Sequence, residues 1–158
     1  MSAKLLVSHV EKMVKSLKIQ VSKIQQLKRG IHIMRDEIHM QDEEHDFKMW
    51  LEEEGAYIRV HIPGNIIPDI AVIHKAWFEQ YNKIYILFFN PKNVSFFGNK
   101  NRPKVLNTQE REKLEVYYED LMEVHTSLVH KFDILHLRVE SSREIDDEDI
   151  RHEEKLVI

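Results

Sequence analysis

From Leu6 to Leu27 apolar side chains return at steps of three and four: Leu6, Val10, Met13, Val14, Leu17, Val21, Ile24 and Leu27, with lysines between them. An α-helix with one buried face satisfies that spacing over many turns, whereas a strand, with its period of two, does not. A stripe of this length must be covered by other elements, and the chain is poorly equipped to make them from sheet. Four glycines and four prolines in 158 residues leave few tight turns. The same rhythm recurs at Ile70, Ile73, Trp77, Tyr81, Ile84 and Phe88, and again at Leu114, Tyr117, Leu121, Val124, Leu128, Phe132 and Leu135. Long helices are therefore expected to cover one another.

The breaks between them follow from local chemistry. Gly30 kinks or ends the first helix, because Ile31, Ile33, Met34 and Ile38 continue the apolar character beyond it. A second helix is expected from Asp42 to Gly55, with Asp42 as N-cap, Phe47, Trp50 and Leu51 on one face, and Gly55 as terminator. Pro63, Gly64 and Pro68 predict a loop over 57–68, with Pro68 in the first turn of a third helix that runs to about Phe89. Its last residues, Ile84 to Phe89, suit a strand equally well. The stretch 90–107 holds two prolines, one glycine, five asparagines and the pair Phe96 and Phe97, and is expected to be a loop with an aromatic anchor. Thr108 is the expected cap of a fourth helix, with Glu110 and Glu112 in its first turn. The expected fold is all-α: an antiparallel four-helix bundle with an inserted loop around 90–107, one domain over 1–140, and a charged, flexible tail over 141–158.

Composition excludes several functional classes. With 42% hydrophobic and 32% charged residues the chain reads as soluble and globular, and no apolar run is long enough for membrane insertion. The absence of cysteine rules out disulfides, thiolate metal ligands and cysteine nucleophiles, and a cytoplasmic location is expected. Charge is segregated: residues 1–30 carry seven Lys/Arg and one Glu, residues 31–60 three Lys/Arg and nine Asp/Glu. Complementary neighbouring helices explain that pattern. An overall charge of −4 and a pI near 6.2 argue against a nucleic-acid partner. No nucleophile elbow, phosphate-binding glycine loop or zinc-protease helix is present, so a non-catalytic role is expected.

Ten histidines make a metal site the chemistry to test first. Di-iron bundles use Glu-x-x-His because i and i+3 share a helix face. This chain instead has Asp36/His39, Asp42/His45, Asp133/His136 and Asp149/His152. A hemerythrin-like centre needs histidines that converge, yet His125 and His130 stand about 140° apart around a helix.

The segment His45-Asp46-Phe47-Lys48-Met49-Trp50-Leu51, followed after Pro63 and Pro68 by His74-Lys75-Ala76-Trp77-Phe78, resembles the chemoreceptor zinc-binding domain of bacterial chemoreceptors and diguanylate cyclases. That family is a small four-helix bundle marked by a first-helix His, then Cys-x-(Leu/Phe)-Gly-x-Trp, then His-x-x-x-His. Phe47 and Trp50 match, and 23 residues separate Trp50 from His74. His45 replaces the cysteine, Lys48 the glycine and Phe78 the second histidine, and no histidine lies within 16–23. The resemblance covers most of residues 5–137. It implies a cytoplasmic sensory or regulatory bundle that acts through ligand- or partner-dependent helix packing, with a signalling protein or a second copy as partner. It also implies His45 and His74 as candidate ligands for zinc, in an incomplete family site. Phe47, Trp50, Trp77, Phe78 and Tyr81 are the candidate lining of a ligand pocket. The alternatives are a metal-dependent redox or oxygen-binding bundle and a purely structural interaction bundle.

Overall fold

A computed structural model describes residues 1–90, 101–142 and 145. The described residues are helical throughout, with no strand among them: α1 (Ala3–Lys28), α2 (Arg35–Ile38), α3 (Gln41–Trp50), a π-helical turn (Leu51–Gly55), α4 (Ala56–His61), α5 (Ile66–Phe89) and α6 (Thr108–Ser141). The chain forms a helical bundle built on α1, α5, α6 and the α3–π–α4 rod. The core runs along the buried stripes of α1, α5 and α6, with Leu6, Ile24, Ile70, Trp77, Leu121 and Phe132 almost wholly excluded from solvent. The α5–α6 pair is the most extensive packing in the molecule and α1 lies against α6.

Gly30 ends α1 and does not kink it. At φ +85° it adopts the left-handed conformation that suits glycine, and its N–H donates to the Leu27 carbonyl while that of Ile31 donates to Gln26. These two bonds form a Schellman cap and satisfy carbonyls that the helix end would otherwise orphan.

Four local expectations are corrected. Asp42 is not the N-cap of α3; Met40 is, and Asp42 stands in the first turn, where its charge favours the helix N-terminus. Gly55 does not terminate a helix either. It sits at φ −59°, inside the π turn, and the rod continues to His61. The 57–68 loop therefore shrinks to Ile62–Asn65, where Gly64 takes φ +114°. Pro68 lies in the first turn of α5, where no N–H is needed. Thr108 does not cap α6: the Asn107 side chain accepts from the Glu110 N–H at 2.8 Å, and the Glu110 carboxylate accepts from the Asn107 N–H at 3.1 Å, a reciprocal capping box. Ile84 to Phe89 is helix.

The π turn has a packing cause. Buried positions along the rod are Phe47, Trp50, Gly55, Ile58 and Ile62, so one step of five interrupts steps of three and four. The additional residue turns Glu54 off the core face, where it meets His9 of α1 at 2.6 Å. Gly55 takes the core position instead, and a Cβ there would stand 3.5 Å from Ile67 and 3.4 Å from Leu51.

Of the 90–107 loop, the pair Phe96 and Phe97 lies outside the described residues. Residues 101–107 return against the bundle: the Arg35 N–H donates to the Asn101 carbonyl at 2.9 Å and the Lys104 N–H to the Phe88 carbonyl at 2.8 Å. Beyond α6, Ile145 is fully buried, and 146–158 lie outside the described residues. Among the described residues no helix is long and apolar enough to cross a membrane. The basic α1 is tied to the acidic segment that follows it by the His9–Glu54 contact and a bond from the Lys23 ammonium to the Glu37 carbonyl, 2.6 Å, while Lys28 pairs with Glu115 of α6.

Candidate ligand groove between α3 and α5

A concavity of about 600 Å³ lies between α3 and α5, within the size range of small-molecule sites. One face of α3 supplies Gln41, Glu44, Phe47 and Lys48, spaced so that they share that face; α5 supplies Ala71, His74, Lys75, Phe78, Glu79, Tyr81, Asn82 and Tyr85. His39 and Met40 close one end, where the His39 ring meets Tyr85 edge-on at 5.8 Å and the Arg35 Nε donates to the Tyr85 hydroxyl at 2.6 Å.

His74 is the polar group at the floor. It is 6% exposed, and the Phe47 ring lies flat upon it with centroids 3.3 Å apart and planes 5° from parallel. Phe78 flanks it at 5.0 Å. Burial drives its pKa down to about 3, so the imidazole is neutral. Neither ring nitrogen has a hydrogen-bond partner among the described residues, although a neutral imidazole offers one donor and one acceptor. The fully enclosed side-chain atoms without a partner among the described residues are Trp50 Nε1 and Gln80 Oε1, so the His74 nitrogens keep contact with the groove. Behind it lies a small cavity of about 40 Å³ that reaches Ser16 and Glu43; Phe47, His74 and Phe78 line both spaces and so form the partition between them.

The deeper rings of α5 are committed to the core. Trp77 is fully buried, and its indole N–H donates to His125 Nδ1 at 3.1 Å. That bond places the His125 proton on Nε2, and burial, reinforced by Lys18, lowers its pKa. Tyr81 stacks on Trp77 at 5.0 Å and donates to the Ile38 carbonyl at 2.6 Å. Burial raises the Tyr81 pKa, with Glu43 and Tyr85 adding to the shift. Trp50 packs edge-on against Phe132 at 6.0 Å, and its enclosed N–H has no acceptor.

The structure thus brings Phe47, Phe78 and Tyr81 to the groove with His74, and places Trp50 and Trp77 in the core outside it. It does not pair His45 with His74. Residues 45 and 47 are separated by about 200° around α3, so while Phe47 covers His74, His45 faces solvent. No group of three or more His, Asp or Glu that could hold a metal forms among the described residues. The donor set therefore does not fit zinc, whose sites take three or four ligands. Nor does it fit a di-iron centre: His136 faces Glu140 and Glu11, Asp36, His39, Asp42 and Asp133 gather into no such group, and the Asp149/His152 pair lies outside the described residues.

Tyr85 was not among the residues singled out from the sequence, and His39 and His125 were weighed there only as metal ligands. His125 had a signal, standing four after Leu121 and three before Leu128 on the buried stripe of α6. Tyr85 lies four after Tyr81 and seven after Phe78. His39, between Ile38 and Met40 in a short connection, carried only its spacing from Asp36.

Comparison with family models, with curated proteins and with solved structures found no match.

Proposed function

We propose that this chain is a non-catalytic binding bundle of the sensory or regulatory kind, whose ligand occupies the α3–α5 groove. The observation that carries this reading is the buried His74, left without a hydrogen-bond partner at the floor of a groove walled by aromatic rings. An apolar concavity with a single placed polar group on its floor is the usual form of a small-molecule site.

On this reading the α1–α5–α6 assembly is the frame, its helices antiparallel, as the pairings Asp69–Lys131, Trp77–His125 and Lys28–Glu115 suggest. The α3 helix is the responsive part. It meets α5 chiefly through the Phe47–His74 stack, so occupancy of the groove shifts its packing, and with it the contacts offered to a signalling protein or a second copy. In the sequence resemblance His74 matches a zinc ligand of the chemoreceptor zinc-binding domain, which supports the same reading. The chain is then a relative that has retained the bundle and put an organic ligand where the metal was.

Hydrogen exchange during a screen of small aromatic fragments tests the proposal. A fragment that binds is expected to change protection in Gln41–Trp50 and around His74 while the amides of α6 keep theirs. Fragments that bind only elsewhere, or that leave α3 protection unchanged, would refute it.

A further inference from the structure

The floor and rim of the groove restrict what it takes. Its exposed charges are balanced, Glu44 and Glu79 against Lys48 and Lys75, so no net field selects an ion. The His74 imidazole is held neutral by its surroundings, so it offers a buried carboxylate or phosphate a single N–H donor and no compensating charge. An extended peptide would bring a series of main-chain donors and acceptors to a floor where His74 is the buried polar side chain open to a partner, since the Tyr81 hydroxyl already donates to Ile38. The walls are rings: Phe47, Phe78 and Tyr85.

We infer that the groove binds a small, uncharged aromatic molecule bearing one N–H or O–H group, which exchanges a hydrogen bond with His74 and packs its ring against the aromatic wall. This rests on the groove being a binding site, as proposed above. The polar group supplies specificity, because a ring of equal shape without it would leave His74 unmet.

The test compares 2-naphthol with naphthalene at pH 7.5, where a phenol is neutral, by titration followed in amide NMR spectra. The expected result is saturable binding of 2-naphthol with shifts centred on Phe47, His74 and Phe78, about tenfold tighter than naphthalene. In His74→Phe the two should bind within about twofold of each other. The comparison on the unaltered protein stands even if that variant misfolds. Equal affinities at the groove would overturn the inference and leave the binding site in place; no saturable binding of either probe, or binding confined to the α1–α6 face, would overturn both.

Discussion

The Phe47 ring lies face to face on the His74 imidazole, at 3.3 Å and 5° from parallel, and so covers a histidine that has no hydrogen bond of its own. The imidazole beneath the ring is uncharged, because a proton added there would make it a buried cation with no carboxylate beside it.

The pH dependence of stability follows in sign. His74 titrates near 6.5 in the unfolded chain and near 3 in the folded one, so between those values the unfolded state binds more protons. Stability from this group is nearly complete above pH 6.5 and falls as pH drops toward 3, by roughly 2 kcal/mol over the first two units below 6.5. His125, also lowered, contributes in the same direction. Urea midpoints of wild type and His74→Phe between pH 7.5 and 4.5 check this. The variant should be as stable or about 1 kcal/mol more stable at pH 7.5 and lose less on acidification; parallel curves would contradict the buried neutral state.

The two tryptophans should differ. Trp77→Phe leaves His125 Nδ1 unpartnered in a fully packed site and is expected to cost about 2–4 kcal/mol. Trp50→Phe removes an N–H that already lacks an acceptor, leaving mainly the smaller ring to account for, about 1 kcal/mol. Chemical denaturation of the pair decides it: equal costs, or the reverse order, would be inconsistent with the Trp77–His125 bond.

The glycines make a second contrast. Gly30→Ala places a Cβ on a left-handed residue and should cost about 1–2 kcal/mol, although no atom obstructs it. Gly55 has helical φ, and its new methyl would meet Leu51 and Ile67 at ordinary contact distance. There alanine should be neutral or stabilising by up to about 1 kcal/mol. A thermal melt of each variant suffices, and a large loss at Gly55 would mean that the π turn is packed more tightly than these distances state.

At the start of α6, Asn107→Ala should cost about 1 kcal/mol, whereas Thr108→Ala should be nearly silent. Equal effects, read from melting temperature, would place the cap at the wrong residue.

Much of the frame was legible because a three-four stripe such as Leu6 to Leu27, or Leu114 to Leu135, admits one solution in a chain with few turns. The ends were less so. Asn107 and Thr108 are both good caps, and only the backbone geometry chooses between them. Gly55 carried a terminator's signal, but a glycine ends a helix only where the backbone turns left-handed, and here φ stays at −59° and the rod continues. The groove was half legible. Phe47, Phe78 and Tyr81 follow from face and spacing, whereas which of two neighbouring aromatics enters the core depends on how α3 is rotated against α5, a tertiary fact. The same rotation separates His45 from His74, which linear spacing alone could not reveal.

The π turn makes the length of the rod, and not merely its composition, a constraint. Deleting any one residue from Leu51–Gly55 would restore ordinary helical winding and satisfy local propensity. It would also turn the step of five between Trp50 and Gly55 into a step of four, so that Ile58 and Ile62 keep the core face while α4 moves about 1.5 Å along the rod axis toward α3. Substitutions in this stretch can be absorbed one side chain at a time, but a change of length is transmitted to every residue that follows as far as Ile62.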